Sequence, residues 1–161
     1  MEGDYILTLP QNRRILMKVN YKKIDDLILE KIVDVYGEWV KKYIFIRDDT
    51  FALAAIAGDL PVGFICVTPR ALKFPLEHIS DAFIEEYQVH ENYQRQGIGR
   101  YMVGCAEDWA KQAGFKQIRT HHNNTAVAAI LMSKSLGYTM CPHDYNVNGE
   151  KHSGYWVAKT L

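Results

Sequence analysis

The sequence predicts one layered α/β (α+β) domain over residues 1–161, with a central mixed, mostly antiparallel sheet flanked by helices. Three observations carry this. Short β-rich runs alternate with segments of helical periodicity. Several of those runs are separated by two-residue turn signals. A chain of 161 residues with 48% hydrophobic and 24% charged content suits a single core.

The elements follow in order. "RRILMKVNY" (Arg13 to Tyr21) reads as a strand. "KKIDDLILEKIVDVY" places Ile24, Leu27, Ile28, Ile32 and Val35 at helical spacing, and Gly37 interrupts it before a short helix in "EWVKKYIF". "FALAAIAG" and "LPVGFICVT" pair through the turn at Gly58 and Asp59. "AFIEEYQV" is a fourth strand. The helix after "QRQGIG" sets Ile98, Met102, Ala106 and Trp109 on one side and stops at Gly114. "FKQIRTH" is a fifth strand. Thr125 is placed to cap a helix running to Leu136, and Gly137 ends it. "YTMCPHDYNV", Asn148-Gly149 and "SGYWVAKTL" close as a hairpin.

Bulk chemistry excludes several classes. Lys plus Arg and Asp plus Glu both number 19, so no global field recruits nucleic acid or an anionic membrane. No apolar run reaches spanning length, and "MEGDYILTLPQNRR" lacks the pattern of a signal peptide. Cys66, Cys105 and Cys141 are odd in number and lie in apolar segments, which reads as reduced thiols in a cytoplasmic protein. Asn123-Asn124-Thr125 matches a glycosylation sequon but reads as a loop and helix start. A homodimer is left open.

"QRQGIG" (Gln94 to Gly99) lies between a strand and a helix, where two glycines suggest an anion-holding loop. A Walker loop would end in Gly-Lys-Ser/Thr, whereas Gly99 is followed by Arg100-Tyr101. A dinucleotide fingerprint needs a third glycine where Met102 stands. A polar turn that merely starts a helix is the plain alternative. A third pattern is Gln/Arg-x-x-Gly-x-Gly/Ala after a strand ending in Val, and here Val89 precedes "HENYQRQGIGR". Further on, "SKSLGY" ends the next helix.

With these two motifs in this order, the sequence resembles the GNAT superfamily of acetyl-CoA-dependent N-acetyltransferases over nearly its whole length. The resemblance implies acetyl-CoA as co-substrate and an amine as acceptor. It implies a splayed strand pair in which the pantetheine arm meets the main chain near Tyr87, Gln88 and Val89, with the Val89 amide on the thioester carbonyl. Gln94, Arg95, Gln96, Gly97, Ile98, Gly99 and Arg100 would surround the pyrophosphate. The physics is compatible: bare glycines admit close approach, and amides at a helix start favour an anion. For Arg95 and Arg100, a solvated surface is the alternative.

Two positions depart from the family pattern. Ser133 stands where a tyrosine commonly protonates the leaving thiolate, and Ala126 where an asparagine commonly touches the coenzyme. Asn124 is a substitute for the second, or simply a helix cap. Tyr138 and Tyr145 are candidate phenols for the first. An acyl-CoA-binding sensor without chemistry is the non-enzymatic alternative, and a peptide N-terminus or lysine the alternative acceptor to a small cationic amine.

Glu85 and Glu86 are the candidate general bases. Strict alternation would place them on opposite sheet faces, with Glu85 sharing the face of Tyr87 and Val89 and so being the favoured base of the two. His121 is a reserve base. Adjacent His121 and His122 on a strand point apart without a third ligand, so no metal is expected. Cys105 reads as core. Tyr36, Trp39 and Tyr43, with Glu30, Asp34 and Glu38, either cradle an organic cation or form an amphipathic face.

Overall fold

The computed structural model describes residues 18–161. The first part of the expected opening strand and the segment read for a leader lie outside the described residues. Seven strands form one sheet: β1 (Val19–Lys23), β2 (Phe51–Ala57), β3 (Leu60–Ala71), β4 (Ser80–Val89), β5 (Gln117–Asn123), β6 (Thr139–Val147) and β7 (Glu150–Thr160). Their order is β1-β2-β3-β4-β5-β7-β6. All neighbours are antiparallel except β4 and β5. The helices are α1 (Asp26–Tyr36), α2 (Ile98–Gln112) and α3 (Val127–Ser135), with short 3-10 turns at Glu38–Lys42 and Glu91–Tyr93.

Local chemistry explains the helix ends. The Asp25 side chain accepts a bond from Ile28 N at 2.8 Å and caps α1, which stops at Gly37 in a left-handed conformation. Leu27, expected in the core, is 71% exposed. The helix turns Ile32 fully inward instead, with Ile28, Leu29 and Val33 at its margins. At α3, Ala126 rather than Thr125 is the cap residue, and no side chain bonds the helix start.

Two cores form, one on each sheet face. Ile24, Ile32 and Val40 pack on Phe64 and Cys66 of the front face. On the back, Ile98, Met102 and Ala106 of α2 pack on Ile65, Val67, Ile84 and Ile118. No helix among the described residues is long and apolar enough to cross a membrane.

Gly154 on β7 fixes the junction with β5. A Cβ there would collide with the His122 carbonyl oxygen and lie 2.9 Å from the His121 ring. Backbone cannot move aside without breaking the β5–β7 ladder. Gly154→Ala is therefore expected to cost about 2 kcal/mol or more, read as a lower urea midpoint at unchanged m.

Candidate functional site

The site begins where a strand pair ends. β4 and β5 are parallel and in register only at Ala82–Ile118 and Phe83–Arg119. One further tie, Thr120 Oγ1 donating to Ile84 O at 3.1 Å, marks the last contact before they part. Beyond it, Glu86 to Val89 and His121 to Asn123 become two walls of a cleft of about 900 Å³. The loop before α2 and the inward side of α3 close its far end.

The phase of the β3–β4 ladder decides what β4 offers to this cleft. His90 N donates to Val62 O at 2.9 Å, so Gln88 and Glu86 also direct their main-chain groups towards β3. Tyr87 and Val89 therefore direct theirs towards the gap. Glu86 Oε1 accepts from Tyr87 N at 3.1 Å, and Gln94 Nε2 donates to Val89 O at 3.0 Å. The Val89 N–H and Tyr87 C=O face the cleft, which is the strand edge an extended ligand pairs with.

A β-bulge corrects the expected facing of the two acids. Cys66 is opposite Glu86 but the next residue, Val67, is opposite Ile84, so Glu85 is the extra residue. Alternation fails there, and both carboxylates lie on the front face. Glu85 accepts from Thr68 Oγ1 at 2.5 Å and pairs with Arg70 at 2.6 Å, outside the cleft lining. It does not share the face of Tyr87 and Val89, which pack against the back core. Glu86 lines the cleft and is half-buried. Burial pushes its carboxyl above the usual range, opposed by bonds from the Tyr87 amide and the Gln88 side chain.

The loop after β4 supplies the other wall. Arg95 and Gly97 both have positive φ, +63° and +84°, on either side of Gln96, which turns the chain sharply into α2. Gln94, Arg95, Gly97, Ile98, Gly99 and Arg100 line the cleft. Gln96 is outside the lining, and its amide reaches back to Asn92 O at 3.4 Å. Arg100 donates to Ser135 Oγ at 2.6 Å and so joins the start of α2 to the end of α3. Asn124 is also outside the lining, whereas Asn123 lies in it.

A family model described as the acetyltransferase (GNAT) family matches residues 20–138. The chain belongs to the GNAT acetyltransferase family. It is similar to N-acetyltransferase family 8 member 3 of Rattus norvegicus, at 26% identity over 132 residues, covering 82% of this chain and 55% of that protein. The chain thus spans about half the length of that relative. Among solved structures it is similar to Arabidopsis thaliana NAA60 in complex with a bisubstrate analogue, at TM-score 0.73 and 14% identity over 89% of this chain and 99% of that one. It is also similar to the ribosomal-protein-S18-alanine N-acetyltransferase of Escherichia coli, at TM-score 0.69 and 14% identity over 89% of this chain and 94% of that one. At such identities the likeness is one of fold.

Ser133 stands where the resemblance implies a tyrosine. The serine hydroxyl is buried and lies 2.9 Å from His122 Nε2, pointing into the α3–β5 seam and not into the cleft lining. Tyr138, a candidate phenol, is buried in the back core, its hydroxyl held far above the usual range by burial and by Glu107. It is absent from the cleft lining. Tyr145 on β6 donates to Asn123 Oδ1 and so reaches the cleft's rim. His122 and Asn123 were missed as site residues. With His121 they are three consecutive residues at the end of β5, where the strand has no β4 partner and both its faces border the widening gap.

His122 links the site to stability. Burial, then the charge of His121, lowers its pKa below 6.5. The unfolded chain therefore takes up this proton before the folded one does. The stability is fully present above pH 6.5 and is lost as pH falls below 6.5 towards the depressed value. Urea midpoints between pH 7.5 and 5.5 should fall less steeply in His122→Asn than in the parent, and taking the difference cancels other titrating groups.

Proposed function

We propose that this chain transfers an acetyl group from acetyl-CoA to the nitrogen of a small cationic amine, with Glu86 as the general base. The observation that carries this reading is the pairing of a free strand edge at Tyr87 and Val89 with an unpaired, half-buried carboxylate at the next position. A. thaliana NAA60, a neighbour in fold, has been solved with acetyl-CoA, which supports the donor.

The groups fit the chemistry in sequence. The pantetheine arm lies along the strand edge and pairs with Tyr87 C=O, which keeps Val89 N–H for the thioester carbonyl, and the pyrophosphate rests on the amides that begin α2, with Arg95 and Arg100 alongside. An aliphatic ammonium has a pKa of about 10, so it must lose a proton before attack. Glu86 accepts that proton directly or through a water. The amine nitrogen then bonds to the thioester carbon, and Val89 N–H stabilises the oxyanion. Collapse breaks the C–S bond, and the nitrogen releases its surplus proton to water. The thiolate takes a proton from Tyr145 at the rim or from water, since Ser133 and Tyr138 are turned away. The three free thiols support a reducing, cytoplasmic setting.

The defining experiment is an amine panel with acetyl-CoA, following release of free thiol. No turnover with intact coenzyme binding would leave the non-catalytic sensor as the better reading.

Gly99 tests the coenzyme wall. A Cβ there would sit 3.5 Å from Met132 Sδ and from Val89 Cγ2, ordinary contact that the protein tolerates. Added methyls beyond it would occupy the mouth of the cleft. Gly99→Val is expected to fold and to bind coenzyme A at least about tenfold more weakly, a loss of about 1.4 kcal/mol measurable by calorimetry.

Glu86 tests the base. Glu86→Gln is expected to lose about 10²–10⁴ in kcat/KM at neutral pH, the usual worth of general-base assistance. The deficit should shrink at high pH, where the amine is already neutral. In the parent, activity should fall on acidification as Glu86 takes up a proton, starting above the ordinary carboxylate pKa because burial raises it. Glu85→Gln should change stability through Arg70 and Thr68 and leave the pH profile in place. Equal kinetic losses in both variants would remove Glu86 from this role.

A further inference from the structure

Of the three acids on β4, only Glu86 lacks a cationic partner among the described residues. Glu85 is paired with Arg70 at 2.6 Å, and Asp81 with Arg119 at 2.5 Å. Glu86 has no cationic partner among the described residues; its contacts are the Tyr87 amide and Gln88 Nε2 at 3.3 Å. One carboxylate therefore stands ready for one positive charge.

Aromatic rings flank it on both sides. Gln88 is in register with Phe64, which carries Tyr36 at 5.2 Å and Trp39 at 6.4 Å. Trp39 and Tyr43, 5.9 Å apart, are 38% and 39% exposed, a large apolar area left open to solvent on the front face, outside the cleft lining itself. Across the gap, His121 lines the cleft and carries Tyr145 at 4.8 Å and Trp156 at 5.1 Å. Burial lowers the His121 pKa, with His143 adding to the shift, so that wall brings no positive charge at neutral pH.

We infer that the acceptor carries a single ammonium on an apolar, aromatic-sized body, an arylalkylamine rather than a polycation. This deepens the N-acetyltransferase reading and rests on it. Glu86 takes the ammonium while the ring walls take the body, and π faces also attract an organic cation. On β4 a second ammonium, as in a polyamine or aminoglycoside, would meet only Glu85 and Asp81, whose charges Arg70 and Arg119 already balance.

Two independent readouts test this with the full chain. The first is kcat/KM with acetyl-CoA for 2-phenylethylamine, ethylamine, spermidine and a short peptide beginning with Met. The second is calorimetric binding of the same amines in the presence of free coenzyme A, which needs no turnover. The expected result is at least a tenfold preference for 2-phenylethylamine in both. Trp39→Ala should raise its KM about tenfold and leave ethylamine unchanged, and Tyr43→Ala should act the same way if the Trp39 variant melts early. Preference for spermidine or the peptide, or equal losses for all amines in these variants, overturns the inference while leaving acetyl transfer intact. Tight 2-phenylethylamine binding without thiol release upholds the acceptor site and overturns the catalytic reading. Neither binding nor release of thiol with any arylalkylamine overturns the inference.

Discussion

Everything functional here depends on a strand pair that stops pairing. β4 and β5 share two register positions and then diverge, with Thr120 holding the point of separation. In a continuous sheet the amide of Val89 and the carbonyl of Tyr87 would be consumed by the next strand. Here they are left facing a cleft. The cost of exposing them is tolerated because the gap opens to solvent, where water or a ligand satisfies them. The helices α2 and α3 stand behind the gap and give it depth, and Arg100 to Ser135 ties their ends together.

The bulge at Glu85 is the second constraint, and it acts on charge. By inserting one residue it brings two adjacent acids onto one face, where they meet different fates. Glu85 is absorbed by Arg70 and Thr68, and the Arg70 guanidinium also lies 3.7 Å over the Phe83 ring. Glu86 keeps only hydrogen bonds from neutral donors. A half-buried carboxylate without a counter-cation is unfavourable in the resting protein, and its raised pKa is the measure of that. The same imbalance suits it to receive a cation and its proton.

The back of the cleft is organised differently. His122 and Ser133 satisfy each other across the β5–α3 seam, with the Tyr87 ring edge-on to His122 at 6.1 Å. Ser133 is thereby part of the packing. The rim is held instead from β6, whose Tyr145, in register with His152, reaches across β7 to Asn123, in register with Gly154.

By itself the sequence determined the element order, the single layered domain and the anion-suited loop, because periodicity, turn glycines and the Gly97–Gly99 spacing are local properties. The family resemblance, not periodicity, grouped Tyr87 to Val89 with Gln94 to Arg100, and all of these but Gln96 line the cleft, as Asn124 does not. What the sequence could not decide was facing. Alternation assigned Glu85 and Glu86 to opposite sides, and only the register against β3 exposes the bulge that breaks it. Likewise Thr125 had the chemistry of a cap, yet the chain enters α3 one residue later. Ser133, Tyr138 and Tyr145 were equivalent polar side chains on paper. Tertiary packing turned the first to His122, buried the second beside Glu107 and carried the third to the cleft's edge. Local sequence sets which backbone shapes are cheap; which side chain meets which is set by register and burial between segments far apart in the chain.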